Sequence, residues 1–232
     1  MSGFRGWVPL SGTPERFPVT FAAESASGGL TPFATALLAH VDEDHSNLPD
    51  AAGWNGPDFI VIGAQRSGST SLYRYLSAHP LIEAARIKEL HYFSLHHQRP
   101  LAWYRSQFPL NLPPGHITGE ATPYYLFHPH AARRIAETAP RAKLIAVLRN
   151  PIDRAHSHYH HELARGVEWL SFEDAIRAEP ERIAGERERL LADPTYASAP
   201  YQSASYLSRG RYAEQLREWL DIFPRDQLLI VR

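Results

Sequence analysis

The sequence predicts an α/β fold of three layers, in which helices cover both faces of a central parallel sheet. Three short apolar runs, at residues 59–62, 144–148 and 228–231, are typical of strands buried on both faces. Segments of helical periodicity lie between these runs. Strands that alternate with helices favour a parallel sheet over an antiparallel one.

The first of these units is a strand, a glycine-bounded loop and a helix. The run 59–62 leads into a polar loop from Gly63 to Gly68, and a helical pattern begins at Ser69 and ends at Pro80. Backbone N–H groups at a helix N-terminus are unpaired, and the two glycines allow a tight turn around an anion. The loop therefore predicts an anion site, although a strand–turn–helix corner with incidental Gly and Ser explains the same segment.

The loop is P-loop-like but differs from an ATP-binding loop at one position. The ATP motif G-x-x-x-x-G-K-[ST] places a Lys after its second glycine, where this chain has Ser69. The cation is Arg66, inside the loop, and neither 59–62 nor 144–148 ends in an Asp that would hold Mg²⁺. The candidate binding residues are Arg66, Ser67, Gly68, Ser69, Thr70 and Ser71.

A second unit places a cation directly after the run 144–148. Arg149 leaves the strand, Asn150 and Pro151 predict the N-cap and first turn of a helix, and Ser157 lies nearly two turns further on. A guanidinium and a hydroxyl outside the carboxyl end of a strand suit a terminal phosphate. A surface Arg and an ordinary helix Ser are the simpler interpretation of this segment taken alone.

Two later segments also carry helix signals. Ser171 and Asp174 predict a capping box, and Pro180 is expected to break or kink the helix that it opens. A second apolar stripe at helical spacing consists of Tyr212, Leu216, Trp219, Leu220 and Phe223.

Composition divides the chain and excludes several classes of function. Residues 1–56 are rich in Gly, Pro, Ser and Ala, with only 33–41 resembling a helix, so we expect an irregular extension before a domain at 57–232. A net charge of −1 gives no reason to expect nucleic acid. The absence of Cys excludes disulfides and Cys-ligated zinc. With no signal peptide or membrane-spanning run visible, we expect a cytoplasmic protein.

Four further motifs accompany the two phosphate segments. They are KELHYF at 88–93, WY through FP at 103–109, GEATPYY at 119–125 and GRY at 210–212. In this order, over 58–232, the chain resembles the sulfotransferases that use 3′-phosphoadenylyl sulfate (PAPS), in particular the heparan sulfate N- and 3-O-sulfotransferases and their bacterial relatives.

The resemblance implies a donor site. PAPS would be the donor and adenosine 3′,5′-bisphosphate the product. Arg66, at the position of the family's loop lysine, would lie beside the sulfuryl group, and Ser67–Ser71 would hold the 5′-phosphate. Arg149 and Ser157 would hold the 3′-phosphate.

The resemblance also implies a base and an acceptor. Glu89 and His91 match positions near the acceptor hydroxyl in the 3-O-sulfotransferases, and Glu120 matches the proposed base of the N-sulfotransferases. Either carboxylate is therefore a candidate base, acting without a metal on the hydroxyl or amine of a carbohydrate or other small molecule. Four aromatic residues are candidates for stacking on this acceptor, with core packing as the other interpretation. They are Trp103, Tyr104, Tyr124 and Tyr125.

The chain departs from the family pattern at three points. Arg66 replaces Lys, and Ala121 stands where those enzymes carry a Lys beside the acid. The family continues beyond the strand 228–231 with helices and a basic loop over the 3′-phosphate, so the domain is expected to be C-terminally incomplete. The sequence does not indicate an oligomeric state.

Three other functions are compatible with parts of the sequence. A small-molecule kinase would use the glycine loop, and a nucleotide-binding module would use it without catalysis. A metal hydrolase would use the His-rich segment. There HELAR at 161–165 differs from H-E-x-x-H only in having Arg at the second ligand position. The histidines of that segment are His156, His158, His160 and His161.

Overall fold

The computed structural model describes Trp54 and residues 56–232. Most of the expected extension, 1–56, and the helix expected at 33–41 lie outside the described residues. Within the described part, no helix is long and apolar enough to cross a membrane.

The core of the molecule is a five-stranded sheet in which every neighbouring pair of strands is parallel. The order across the sheet is β2-β3-β1-β4-β5. The strands are β1 (Phe59–Gly63), β2 (Ile82–Ala84), β3 (Ile117–Ala121), β4 (Lys143–Val147) and β5 (Leu228–Val231). The three strands expected from apolar runs are therefore confirmed, to within a residue at their ends, as β1, β4 and β5.

Helices connect the strands and extend beyond β4. They are α1 (Ser69–Ser77), α2 (Leu101–Arg105), α3 (Ala131–Thr138), α4 (Pro151–Ala164), α5 (Phe172–Arg182), α6 (Glu186–Ala192), α7 (Ala199–Ser203) and α8 (Tyr212–Leu220), with 3₁₀ turns at Ser208–Gly210 and Arg225–Gln227.

Both faces of the sheet are covered, as the prediction requires. Because successive strand residues point to opposite faces, β1 contributes to two apolar clusters. Ile60 and Ile62 belong to one cluster, with residues of α3 and α8. Phe59 and Val61 belong to the other, with residues of α1. This is the three-layer α/β/α architecture expected from the sequence.

The sequence did not reveal β2 and β3, because neither has a continuous apolar run. β3 is fully buried although it contains Thr118, Gly119 and Glu120. A Cβ at Gly119 would lie 2.5 Å from ring atoms of Phe59, so only glycine lets β3 lie against β1 at this point.

Local capping signals were accurate. Asn150 caps α4, its Oδ1 accepting a hydrogen bond from the Ile152 amide at 2.9 Å. Ser171 caps α5 and accepts from the Asp174 amide at 3.2 Å. The break expected at Pro180 is absent, since α5 continues to Arg182. Pro180 lies in the last turn, where a missing N–H disturbs only the end of the hydrogen-bond ladder.

Candidate functional site

The loop after β1 presents a row of free backbone donors. Gly68 precedes α1 with φ 97°, and no side chain caps the helix. The amides of Gly68, Ser69, Thr70 and Ser71 make no hydrogen bond to any residue that the structure describes. The Ser67 hydroxyl is buried and also has no partner there. Five unpaired donors at a helix N-terminus fit an anion with several oxygens.

The structure brings together the two segments predicted to bind phosphate. Arg66 Nε donates to Ser157 Oγ on α4 at 3.1 Å. Arg149 Nη1 donates to the Arg66 carbonyl oxygen at 3.4 Å. Both guanidinium groups belong to exposed residues, and neither pairs with a carboxylate in the described part of the chain. Their charge is therefore available at the carboxyl ends of β1 and β4.

Three predicted site residues have strained backbone. Arg66, Glu89 and His91 have φ of 65°, 63° and 53°, and they are the non-glycine residues with positive φ among those described. The left-handed conformation costs about 1–2 kcal/mol for a residue with a Cβ. Strain of this kind concentrates at functional sites, where the surrounding structure holds it in place.

Glu89 and His91 form a hydrogen-bonded group beside the end of β3. The Glu89 amide donates to the Ala121 carbonyl oxygen at 3.0 Å, which anchors the segment to the sheet. Lys88 Nζ lies 2.5 Å from one Glu89 carboxylate oxygen, and His91 Nε2 lies 3.5 Å from the other. His91 Nδ1 lies 3.1 Å from Ser94 Oγ.

The charge state of Glu89 follows from these contacts. Partial burial raises the pKa of Glu89, but the hydrogen bonds from His91 and Lys88 together outweigh it and lower the pKa to about 2. Glu89 is therefore an ionised carboxylate at neutral pH. Its side chain is 42% exposed, so it is accessible to a second substrate.

Glu120 lies in a different environment from Glu89. It is 0% exposed within β3. Its carboxylate accepts hydrogen bonds from the hydroxyls of Tyr104 at 2.6 Å, Thr122 at 2.7 Å and Tyr125 at 3.3 Å. Burial raises the pKa of Glu120 although these hydroxyls oppose the shift. The Thr122 hydroxyl also accepts a hydrogen bond from the His91 amide at 3.4 Å. Glu120 is therefore connected to the backbone of the His91 segment through Thr122.

Three of the four aromatic candidates belong to the core. Tyr104, Tyr124 and Tyr125 are buried, with Tyr104 and Tyr125 at 0% exposure. Trp103 is only partly buried, and the Arg99 guanidinium lies 4.4 Å from its ring centroid. Trp103 is thus the member of this set that is partly exposed, with the Arg99 guanidinium over its ring.

Arg209 is a site residue that sequence reasoning missed. It is buried, with its guanidinium 4.7 Å from the ring centroid of Tyr124 and 5.1 Å from that of Phe127. It donates to the Gln65 side chain in the loop after β1 and to the Gln202 carbonyl oxygen at 2.6 Å. The only sequence signal was its position beside the GRY motif, because a buried arginine is recognisable only from its tertiary contacts.

The His-rich helix lacks the three-ligand group that the hydrolase alternative needs, as far as the described residues go. The described residues contain no group of three or more His, Cys, Asp or Glu side chains that could hold a metal ion. His158 is buried, with its Nε2 3.6 Å from Glu162. Arg165, at the second ligand position of the near-motif, pairs with Glu162 at 2.9 Å.

Comparison with known proteins identifies the family. A family model described as "Sulfotransferase domain" matches residues 56–232. This chain belongs to the sulfotransferase family. Heparan sulfate glucosamine 3-O-sulfotransferase 3A1 of Mus musculus is 33% identical, over 92% of this chain and 49% of that protein. The bifunctional heparan sulfate N-deacetylase/N-sulfotransferase 1 of Caenorhabditis elegans is 31% identical, over 75% of this chain and 20% of that protein.

A solved structure agrees with this assignment. The crystal structure of a sulfotransferase from Alicyclobacillus acidocaldarius matches with a TM-score of 0.61 and 34% identity, over 76% of this chain and 72% of that one. The sulfotransferase chain described here spans about half the length of the first curated relatives that it matches. Its family is therefore established by a match that includes the loop after β1.

Proposed function

We propose that this chain transfers a sulfuryl group from PAPS to a hydroxyl or amine of an acceptor, which we expect to be a carbohydrate or another small molecule. The observation that carries the proposal is the contact between Arg66 and Ser157. It joins the free amides at the start of α1 to the segment that follows β4. Two anion-binding segments side by side suit a nucleotide with phosphate at both its 5′ and 3′ positions.

The chain's residues fit such a donor. The unpaired Ser67 hydroxyl and the amides of Gly68–Ser71 supply donors for a 5′-phosphate. Arg149 and Ser157 supply a guanidinium and a hydroxyl for a 3′-phosphate. Arg66 lies between the two groups, where a cation stabilises negative charge that develops on a leaving oxygen.

The proposed mechanism assigns proton transfer to the residues after β2. When bound, PAPS supplies the sulfuryl group, with the bond from sulfur to the bridging oxygen as the one that breaks. Glu89 accepts the proton of the acceptor O–H or N–H, being ionised and exposed. His91 orients the Glu89 carboxylate through Nε2, and Ser94 holds the other ring nitrogen of His91.

The burial of Glu120 supports a positioning role in place of a base. With 0% exposure and three hydroxyl donors, its oxygens have no path to an acceptor in this arrangement.

Lys88 also affects how readily Glu89 accepts a proton. Its ion pair lowers the basicity of the carboxylate, so we expect proton transfer to accompany movement of Lys88 toward the acceptor.

Replacement of Glu89 tests the mechanism. We expect Glu89→Gln to lower sulfuryl transfer by a factor of about 10²–10⁴, because the proton acceptor is lost. The dissociation constant of adenosine 3′,5′-bisphosphate should not change. Transfer from labelled PAPS is measured over an acceptor panel that begins with glucosamine-containing oligosaccharides, the acceptor type that the relatives' names suggest.

A matched control is available in Glu83. It is 43% exposed and lies 3.2 Å from His116 Nδ1, a carboxylate–histidine pair away from the donor loop. Glu83→Gln should leave transfer unchanged. Normal transfer by Glu89→Gln, with a large loss in Glu120→Gln, would assign the base to Glu120 instead.

Donor binding can be tested separately from turnover. Calorimetry should show tighter binding of adenosine 3′,5′-bisphosphate than of ATP with Mg²⁺, and replacement of both Arg66 and Arg149 by Met should weaken it. Preference for ATP with Mg²⁺ would overturn the proposal in favour of a kinase.

A further inference from the structure

His156 and His160 form a pair of imidazoles on α4 that the proposed chemistry does not use. Their Nε2 atoms lie 3.1 Å apart, and both residues are exposed. Residues four apart in a helix are neighbours on its surface. We propose that this pair binds one divalent transition-metal ion, Cu²⁺, Ni²⁺ or Zn²⁺, through the two Nε2 atoms.

The distance between the two nitrogens fits a shared ion. A metal–imidazole bond is about 2.0–2.1 Å, so two nitrogens at a right angle are about 2.9 Å apart and two at a tetrahedral angle about 3.3 Å apart. The observed 3.1 Å lies between these values. The ion takes the place of the hydrogen bond that joins the two rings, and a rotation of each ring about χ2 directs its lone pair at the ion.

The helix holds the pair in this geometry before an ion arrives. α4 has 14 residues, and Asn150 caps its N-terminus. The His156 ring packs edge-on against Phe172 with ring centroids 5.2 Å apart. The His160 ring packs against Tyr159 at 5.1 Å. Ligands that are already in place lose little conformational freedom on binding.

The two rings are also free of competing hydrogen bonds. Among the described residues, each has the other as its one hydrogen-bond partner. A divalent ion therefore has to displace one weak contact and no carboxylate. Neutral imidazole is a good ligand for Cu²⁺, Ni²⁺ and Zn²⁺ and a poor one for Mg²⁺ and Ca²⁺.

The site differs from a structural zinc centre. No third His, Cys, Asp or Glu among the described residues completes the ligand set, so water occupies the remaining positions. His158, two residues from each member, is buried beside Glu162 and directed elsewhere. The ion is therefore exchangeable, and the fold does not depend on it.

Metal titration of the full chain without an affinity tag tests the proposal. Calorimetry with NiCl₂ should show one more ion bound by the wild type than by the double variant H156Q/H160Q. Each single variant should bind at least about tenfold more weakly, because the second imidazole acts at high effective concentration. MgCl₂ should give no binding at this site.

The neighbouring His161 supplies the control. It lies on the same helix but five residues from His156, so it does not share the face of the pair. His161→Gln should bind Ni²⁺ like the wild type. Circular dichroism checks that each variant folds, and Ni²⁺ should raise the Tm of the wild type and H161Q but not of H156Q/H160Q.

Two results would overturn the proposal. One is an unchanged number of bound ions in H156Q/H160Q. The other is an equal loss of affinity in H161Q and H160Q, which would mean that the binding does not depend on the spacing of the pair. Neither histidine belongs to the proposed donor or acceptor site, so both results are independent of sulfuryl transfer.

Discussion

Glu89 and Glu120 show that two residues of one type acquire different chemistry from their surroundings. Both lie in motifs that follow the glycine loop in the sequence, and the sequence predicted that one or the other is the catalytic base. Hydrogen bonds from His91 and Lys88 lower the pKa of Glu89 to about 2, whereas burial raises the pKa of Glu120. One is an exposed anion, and the other is an internal acceptor for three hydroxyls.

The role of Glu120 leads to a prediction about stability. Glu120→Ala removes the acceptor of the Tyr104, Thr122 and Tyr125 hydroxyls, and buried donors without partners cost about 1–3 kcal/mol each. We expect a loss on the order of 3 kcal/mol in the free energy of unfolding. Glu120→Gln keeps one acceptor oxygen and should lose less than half as much.

Urea denaturation of the Glu120 variants measures both effects and their pH dependence. Because burial raises the folded-state pKa of Glu120, its contribution is largest at low pH and is lost as pH rises through that pKa. Glu120→Gln should therefore approach the wild type in stability as pH rises above 4.5, the ordinary pKa of the carboxyl group. Equal losses for Ala and Gln at pH 7 would contradict the hydrogen-bonding role.

At the scale of elements, one carboxylate holds together the helices that follow β4. Glu168 lies between α4 and α5, with its side chain 2% exposed. It accepts from Arg182 at 2.6 Å and from the Tyr206 hydroxyl at 2.8 Å. The amides of Trp169 and Leu170 also donate to it, at 2.9 and 3.1 Å.

This arrangement predicts how Glu168 contributes to stability as pH changes. Burial raises the pKa of Glu168, but the hydrogen bonds outweigh it and lower the pKa from 4.5 to about 2. A lowered pKa contributes stability above the unfolded-state value, and this is lost as pH falls toward 2. Glu168→Gln should therefore lower the free energy of unfolding by about 2–3 kcal/mol at pH 7, and the difference should shrink between pH 4.5 and 2.

An exposed ion pair supplies the control for Glu168. Asp174 lies 2.6 Å from Arg177 on α5, and both side chains are more than half exposed. Asp174→Asn should change stability by less than about 1 kcal/mol, because water screens exposed pairs. Urea denaturation at several pH values compares the two variants, and a constant difference for Glu168→Gln down to pH 2 would show that the carboxylate charge is not involved.

At the scale of the whole molecule, Arg209 connects the late helices to the donor loop. It links Gln65 after β1 with the carbonyl oxygen of Gln202 in α7, and it packs on Tyr124 after β3. These segments are distant in sequence. The position of the donor loop therefore depends on segments that are far from it in the sequence.

Arg209→Met should impair both stability and donor binding. We expect a loss on the order of 3 kcal/mol, because buried carbonyl oxygens lose a charged donor, and weaker binding of adenosine 3′,5′-bisphosphate because Gln65 loses its partner. Arg134 is the matched control, since it is also buried and donates to the carbonyl oxygens of Phe93 and Ser94 at 3.2 Å.

Thermal unfolding and calorimetry compare the two arginine variants. Arg134→Met should lose a similar amount of stability without a change in the affinity for adenosine 3′,5′-bisphosphate, once the folded fraction is taken into account. If both variants weaken binding equally, the effect of Arg209 is one of general stability and not of loop positioning.

The sequence by itself determined the strands β1, β4 and β5, the glycine loop, the helix caps at Asn150 and Ser171, and the sulfotransferase resemblance. These signals are local, since an apolar run, a cap or a motif is complete within a few residues. Only the tertiary structure decided that β3 is a central strand, that Glu120 is buried while Glu89 is exposed, and that Arg209 reaches Gln65. Each of these depends on contacts between residues far apart in the chain, and no local pattern encodes burial of that kind.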